Sequence, residues 1–438
     1  MTVLAFIIGV VVLVLGLAVS IALHEVGHLA PAKAFGVRVG QYMIGFGPTI
    51  FSRRKGETEY GFKLLPVGGY ISMAGMYPPS PRSVEAEAEG RPPRRRRLFE
   101  TMIQDARTVN EETLQGDGAD RAFYRLPVYK RVIIMLGGPA MNLILAIILF
   151  AIMYSGIGAQ AGTTTIASVN ECVLPAGTSQ TACADGDPAS PAAAAGIRPG
   201  DVIVSVDGTA VDTFAAASAI IQKSPGATIP VIVERDGARQ TLQVTPVSAT
   251  REVAAADGST QTAEVGFVGM TATVAFVPQP IWAGPQAAFE QTGRVVGIMW
   301  QLPARIYQTA VDTVTGAGRD PNGPLSVVGA GRLAGEVAAT EAPILNRVSG
   351  MLALLGSLNI ALFVFNLVPL LPLDGGHIVV ALWDGLKRVW ARVAGRRAPR
   401  PVDATRLVPV TFVVVIALVL MGGTLILADI VNPVQLLG

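Results

Sequence analysis

Two of the chain's three histidines flank a glutamate at the end of a long apolar run. The run starts at Thr2, and the segment Ser20–Ala30 reads Ser-Ile-Ala-Leu-His-Glu-Val-Gly-His-Leu-Ala. On a helix, His24 and His28 lie on the same face one turn apart, so both imidazoles can reach one metal ion. Glu25 is placed beside them to act as a base. The spacing therefore predicts a metal-dependent hydrolytic site.

The helix that carries this motif is long enough to cross a membrane. From Val3 to Leu23 it measures about 30 Å, which matches the hydrocarbon thickness of a bilayer. Ionisable side chains at membrane depth are costly unless they are paired or bind a metal. We therefore interpret His24, Glu25 and His28 as functional groups and not as a polar patch between helices.

A second ionisable cluster is predicted to reach the same depth. Asp374 lies in the segment Leu-Pro-Leu-Asp-Gly-Gly-His that ends at His377, after a third apolar stretch. Catalytic zinc sites commonly have three protein ligands and one position open to water. We expect Asp374 to be the third ligand with His24 and His28, because it is the acidic residue at matching depth.

Other polar side chains near this level are secondary candidates. His377 is a rival ligand, although it falls beyond the turn. Asn366 and Asn142 lie in the third and second apolar stretches and are candidates for binding a substrate carbonyl or stabilising its oxyanion. Asn359 is expected to pack between helices.

The composition is that of a multi-span membrane protein. Apolar residues make up 51% of the 438 residues, and charged residues 15%. The segments predicted to span are Val3–Leu29, Val132–Tyr154, Met351–Leu371 and Leu407–Ala428. Arginine is concentrated in the first and last connections, which the positive-inside rule places in the cytosol. Both termini and the section 160–347 are then extracytoplasmic, and the arginine clusters indicate topology and not nucleic-acid binding.

The segment Gln41–Met76 alternates apolar and polar residues between glycines, as hairpin strands do. An unpaired edge beside the metal site would allow an extended substrate to add a strand. A small β-layer that only caps the domain is the alternative, and both interpretations stay open.

The outer section resembles a PDZ domain. Residues 193–209 read Ala-Ala-Ala-Gly-Ile-Arg-Pro-Gly-Asp-Val-Ile-Val-Ser-Val-Asp-Gly-Thr, and a predicted helix and two strands joined by Asp236-Gly237 follow. PDZ domains bind extended peptides by strand addition. The usual carboxylate-binding loop is not recognisable at 163–166, so peptide binding and a steric or gating role both stay open. Cys172 and Cys183 could pair if this section lies outside the cytosol.

With these motifs the whole chain resembles the site-2 protease family, in its bacterial PDZ-containing branch. The resemblance rests on His24-Glu-x-x-His28, on Phe46-Gly-Pro, on Gly138-Pro-x-x-Asn142, on the PDZ signature and on Asn366-Leu-x-Pro-x-x-Pro-Leu-Asp374-Gly. It implies an intramembrane zinc metalloprotease with His24, His28 and Asp374 as ligands and Glu25 as catalytic base. It implies substrates that are single-span membrane proteins already trimmed by a first protease, often anti-sigma factors. The single PDZ domain and the arginine-rich insert leave substrate choice open.

The predicted fold is a multi-span α-helical membrane protein of about four transmembrane helices, with a membrane-associated β-hairpin and one extracytoplasmic PDZ-like α+β domain. The predicted divisions are transmembrane helix 1 (1–30), β-hairpin region (31–77), flexible cytosolic insert (78–126), transmembrane helix 2 (127–156), PDZ-like domain (163–250), extracytoplasmic amphipathic helices (280–348), transmembrane helix 3 (350–376), basic cytosolic loop (377–406) and transmembrane helix 4 (407–430). The predicted partners are membrane-spanning substrates and the lipid bilayer of the cell membrane. The competing interpretation is a non-catalytic scaffold that presents the PDZ domain and holds a structural metal.

Overall fold

The structure, a computed structural model, describes residues 2–76, 113–114, 119–173, 183–184, 187–254, 260–320, 323–397, 402 and 407–434. The chain forms two compact units. The first comprises Met1–Ser155 and Pro280–Gly438, and the second comprises Gly156–Gln279. The predicted cytosolic insert lies mostly outside the described residues.

The elements alternate between helical and β segments along the chain. The helices are α1 (Thr2–Ala34), α2 (Val128–Ala151), α3 (Pro191–Ala194), α4 (Phe214–Gln222), α5 (Ala283–Met299), α6 (Leu302–Thr315), α7 (Val327–Ala339), α8 (Ile344–Asn366), α9 (Asp374–Val393) and α10 (Val408–Val431). The strands are β1 (Val39–Lys55), β2 (Thr58–Met73), β3 (Ala159–Val169), β4 (Val202–Val206), β5 (Thr209–Ala210), β6 (Ile229–Arg235), β7 (Ala238–Val244), β8 (Val247–Ala254), β9 (Thr260–Phe267) and β10 (Met270–Val277).

Four helices of the described chain are long and apolar enough to cross a membrane, as the sequence predicts. They are α1, α2 with its π-helical continuation to Ile157, α8 and α10. The third span ends earlier than predicted, at Asn366, and residues 367–373 form a connecting loop. Pro369 and Pro372 in this loop lack the amide hydrogen that a continuing helix requires. Asp374 therefore begins a new helix and does not end the span.

Two further helices differ from the predictions. Most of the predicted basic loop 377–406 is helical, because α9 runs to Val393. The sequence Gly323-Pro-Leu-Ser-Val-Val-Gly predicts a turn back toward the third span, but α7 already begins at Val327. The Ser326 hydroxyl caps its N-terminus by accepting from the amides of Val328 and Gly329. Small residues of α7 pack against α1, and Leu13, Ala330 and Ala334 form one apolar cluster.

Strands β1 and β2 form the predicted hairpin, and it folds back on itself. Residues 41–44 of β1 pair on one side with 59–62 and on the other with 69–72, while 49–55 pair with 58–63. Two long strands thus make a curled sheet of four segments. Apolar side chains near the turn are exposed, among them Phe46, Phe51 and Phe62.

The second unit is built on a sheet of order β10-β3-β4-β6-β7, with β5 paired to β4. Its apolar core includes Ile203, Val206, Val231 and Val233, with α4 packed against it. Strands β8 and β9 form a separate hairpin. Cys172 and Cys183 are joined by a disulfide bond, which confirms that the two residues lie close enough to pair.

Candidate metal centre

Three side chains from distant parts of the sequence converge on one point. The Nε2 atoms of His24 and His28 are 3.2 Å apart, and they lie 3.3 Å and 3.4 Å from Oδ2 of Asp374. Zinc bound tetrahedrally at about 2.0–2.2 Å from nitrogen and oxygen separates its ligands by about 3.3 Å. The triangle therefore has the dimensions of a zinc ligand set with one position left for water.

The outward-facing nitrogens of both histidines are oriented by neighbours on α2. His28 donates from Nδ1 to the Ile134 carbonyl at 2.7 Å, and Nδ1 of His24 lies 2.9 Å from the amide oxygen of Asn142. Since these oxygens accept hydrogen bonds, each Nδ1 carries the proton and each Nε2 presents its lone pair to the centre. Asp374 Oδ2 is buried with no hydrogen-bond partner among the described residues. Two lone pairs and one unsatisfied carboxylate oxygen fit a bound cation.

Helix α1 supplies both imidazoles because it continues through the motif to Ala34. Asp374 comes from the first residue of α9, and the loop before it packs closely on the start of that helix. A Cβ on Gly375 would overlap the carbonyl oxygens of Leu367 and Val368, and one on Gly376 would meet the backbone at Leu370 and Leu371. The two glycines that follow Asp374 therefore allow the loop to hold the carboxylate in place.

Glycines of α2 make the room that the histidines occupy. A Cβ on Gly138 would overlap Nε2 of His28 and lie 2.8 Å from Cε1 of His24. One residue earlier, a Cβ on Gly137 would overlap the carbonyl oxygen of Gly27, so α1 and α2 approach closely here. The Gly-Gly pair before Pro139 was the sequence signal for this contact.

A buried ion pair joins α9 to α2. Arg131 donates to Asp384 at 3.1 Å, and both side chains are almost inaccessible to solvent. The second carboxylate oxygen of Asp384 accepts from the backbone amide of Val402 at 2.7 Å. Arg131 is one turn before Ile134, so the helix that begins at Asp374 is tied to the helix that orients His28. Sequence reasoning missed this pair, because residues 253 positions apart give no local signal.

Glu25 lies at the interface between α1 and the curled sheet. Its side chain is buried, and a Cβ on Gly69 of β2 would stand 3.0 Å from its Cγ. Tyr42 of β1 donates its hydroxyl to the carbonyl of Ala22, two residues before His24, at 2.8 Å. The second half of β2 therefore runs beside the glutamate of the motif.

The other predicted site residues have different surroundings. Asn142, predicted to contact substrate, is buried and accepts from His24. Asn366 is half-buried at the last residue of α8. Asn359 donates to the Ser20 hydroxyl and to the Leu355 carbonyl, as expected of a packing residue. His377 lies one turn after Asp374, and the group found among the described residues that could hold a metal consists of His24, His28 and Asp374.

Comparison with known proteins shows which protein family the chain is related to. The sequence profile of peptidase family M50 matches residues 12–399. The chain belongs to peptidase family M50. Zinc metalloprotease Rip1 of Mycobacterium tuberculosis is 33% identical and covers 98% of this chain and 99% of its own length. Rip1 of Mycolicibacterium smegmatis is 34% identical over 98% of each chain, and metalloprotease MmpA of Caulobacter vibrioides is 29% identical over 87% of this chain and 88% of its own.

Membership in family M50 makes the protein a metalloprotease of the site-2 type. With four helices apolar enough to span a membrane, it is a multi-pass membrane member of that family. The triad of His24, His28 and Asp374 lies within the M50 match, which includes residues 12–34 of α1 and all of α2, α8 and α9.

Proposed function

We propose that the protein is an intramembrane zinc endopeptidase that cleaves the transmembrane segments of single-span membrane proteins already trimmed by another protease. The observation that carries this proposal is the convergence of His24 Nε2, His28 Nε2 and Asp374 Oδ2 at the end of an apolar helix long enough to span. A hydrolytic centre in that position acts on bonds within the bilayer or at its edge.

The residues present fit zinc, the metal that the names of the Rip1 relatives include. His24, His28 and Asp374 would hold it, and zinc lowers the pKa of a bound water and polarises a carbonyl. Glu25 accepts a proton on its carboxylate from the attacking water and delivers it to the departing amine. Asn142 and Ile134 keep the two imidazoles in the tautomer that ligation needs.

Substrate binding is assigned to the curled sheet and to the end of α8. Residues 69–73 of β2 pair with β1 on one side, and no described strand pairs with their other edge. An unwound substrate segment could add there as a strand, which replaces the backbone hydrogen bonds lost by its helix. Gly69 beside Glu25 brings that edge to the catalytic base. Asn366 is retained as a candidate contact for a substrate carbonyl.

The second unit is proposed to be a PDZ-like domain on the extracytoplasmic side. Its disulfide bond supports an oxidising compartment. Strand β10 is an edge of this sheet, and residues 265–270, which include the loop 268–269 between β9 and β10, line a groove beside α4. A groove of ≈ 290 Å³ lies between that loop and α4, lined by Phe214, Ser218 and Ile221 among others. We assign this unit the exclusion of substrates whose extracytoplasmic domains are intact.

The orientation follows from the arginine distribution, which supports cytosolic placement of the connections after α1 and α8, and extracytoplasmic termini. The two triad segments would then lie near the cytosolic face, where water is available. Anti-sigma factors are the proposed substrate class, which the site-2 protease resemblance implies.

Substitution of Glu25 by Gln tests the proposal. We expect the variant to retain one zinc per chain and to lose cleavage of a co-expressed single-span substrate by at least about 10²-fold, because general base catalysis supplies about that factor. The matched control is Glu57→Gln on the hairpin turn, which leaves the triad unchanged. Cleavage that survives in Glu25→Gln with zinc bound would make the metal structural and the protein a scaffold.

A further inference from the structure

The helix that begins at Asp374 has an apolar face that no described part of the protein covers. Val379, Leu382, Trp383, Leu386, Val389, Trp390 and Val393 are all exposed, and Trp390 and Val393 are 71% and 83% exposed. Their spacing of three and four residues places them on one side of α9. This apolar face consists of two tryptophans and five aliphatic side chains and extends along most of the helix.

The opposite side of α9 is the side that packs on the protein. Ala381, Asp384 and Ala391 are buried there, and Asp384 pairs with Arg131 of α2. A Cβ on Gly385 would lie 3.3 Å from Val128, at the start of α2. Since this side is fixed by a buried ion pair, the apolar side must face outward.

The helix is not a further span. It carries Asp384, Lys387, Arg388 and Arg392 within its second half, and charged side chains in the middle of a bilayer are costly. A helix with one apolar face containing tryptophan and with basic residues on its other face lies in the plane of the membrane interface.

Basic side chains line both margins of the apolar face. At about 100° per residue, Lys387 falls about 40° beyond Trp383 on one margin, and Arg392 falls about 60° beyond Val389 on the other. Arg396 and Arg397 follow and are exposed. From 375 to 397 the one acidic residue is Asp384, which is buried. The exposed charged side chains between 375 and 397 are therefore all basic.

We propose that α9 is an interfacial anchor that binds anionic phospholipids. Its apolar face enters the upper acyl-chain region, and Arg392, Arg396 and Arg397 contact the phosphate-bearing headgroups. The complementary charge selects acidic lipids over zwitterionic ones, because basic residues are attracted to anionic surfaces and long basic side chains can reach from the acyl boundary to the headgroups.

This anchor has a consequence for the metal centre, which rests on the proposed function. Helix α9 starts at Asp374, so the lipid surface and the Arg131–Asp384 pair hold the third ligand from two sides. Loss of the lipid contact should weaken zinc retention, whereas lipid binding itself needs neither zinc nor proteolysis.

The test uses the full chain in nanodiscs, with Trp282 and Trp300 replaced by Phe so that fluorescence comes from Trp383 and Trp390. Brominated phosphatidylglycerol diluted in phosphatidylcholine is compared with brominated phosphatidylcholine diluted in phosphatidylglycerol, at equal bromine content. We expect strong quenching in both cases and stronger quenching by the brominated anionic lipid. Arg392→Gln/Arg396→Gln should reduce that preference by about fivefold for each arginine. Lys223→Gln/Arg239→Gln, which removes the same charge from the second unit, should leave it unchanged.

Three results would overturn the proposal. Quenching by aqueous acrylamide without lipid quenching would place the face in water. Blue-shifted emission without lipid quenching would mean that another protein surface, such as a second copy, covers it. Equal quenching by the two brominated lipids would remove the selectivity for anionic headgroups. All three readouts are independent of cleavage, so they stay decisive if Glu25→Gln contradicts the proposed function.

Discussion

At the scale of single residues, the metal centre depends on which ring nitrogen of each histidine carries the proton. The protons on Nδ1 of His24 and His28 are committed to Asn142 and to the Ile134 carbonyl, which leaves Nε2 of each ring for a metal. The His-Glu-x-x-His spacing predicts two ligands and a base because it is a local property of one helix. The Ile134 carbonyl could not be predicted as the acceptor for His28, because the side chain of Ile134 gives no sign of that role. Asn142 was expected to contact substrate, because its position relative to His24 depends on how α1 and α2 pack, which the sequence does not show.

Replacing Asn142 by Leu should weaken zinc binding by about 10- to 100-fold, since His24 loses the acceptor that fixes its tautomer. Chelator competition with zinc measures this. Asn359→Leu is the matched control, because Asn359 is also a buried amide in a candidate span but contacts Ser20 and not the triad. Equal zinc affinity in the Asn142 variant and the wild type would contradict an orienting role.

At the scale of elements, the four spans and the hairpin follow from hydropathy and alternation, which are visible along the sequence. Helix α9 was predicted to be a basic loop because the segment is rich in arginine, although its apolar residues recur at three- and four-residue spacing. Helix α7 was missed because it contains three glycines, Gly329, Gly331 and Gly335, and its helix forms by packing of Ala330 and Ala334 on Leu13. In both segments, α7 and α9, tertiary contacts stabilise the helix.

The Arg131–Asp384 pair should contribute to stability mainly by avoiding an unpaired buried charge. Asp384→Ala is expected to destabilise the protein by about 3–5 kcal/mol, because Arg131 then stays buried without its partner. The double variant Arg131→Leu/Asp384→Leu should be clearly more stable than the single one. Thermal unfolding in detergent measures both, and equal destabilisation by the single and the double variant would contradict a penalty from the unpaired arginine.

The second unit should lose stability in acid through Asp201. Hydrogen bonds from Arg235, opposed in part by burial and helped by the amide of Arg198, hold the pKa of Asp201 below its ordinary value of 3.8. A carboxyl group whose pKa is lowered by folding stabilises the folded state above its unfolded pKa, and this contribution disappears as the pH falls through the lowered pKa.

We therefore expect hydrogen exchange in β6 and β7, corrected for its intrinsic rate, to speed up below about pH 4. In Asp201→Asn the unit should be less stable at neutral pH and show a smaller acid-induced change. An unchanged acid response in this variant would assign the effect to other carboxylates.

At the scale of the whole molecule, the second unit lies in the sequence between the second and third candidate spans. The strand pairing of this unit determines which residues a deletion must remove. Strand β10 pairs with β3, so a deletion limited to 163–250 would leave β9, β10 and half of β8 behind without the rest of the sheet. A deletion of 159–277 removes the sheet as one body.

With 159–277 deleted and a short flexible linker inserted, cleavage of a substrate that retains its extracytoplasmic domain should become detectable, because the excluding unit is gone. The trimmed substrate should be cleaved by both forms, and Glu25→Gln in the deleted chain should abolish cleavage. Continued rejection of the untrimmed substrate by an otherwise active deleted chain would remove the size-exclusion role.

The central claim is that His24, His28 and Asp374 hold one zinc ion. Zinc X-ray absorption on the purified full chain, wild type against Asp374→Asn, tests it most directly. The wild type should contain one zinc per chain with two imidazole nitrogens and oxygen ligands at about 2.0–2.2 Å, and the Asn variant should lose zinc or change its oxygen shell. A wild-type spectrum with other ligands, or one that Asp374→Asn leaves unchanged, would contradict the claim.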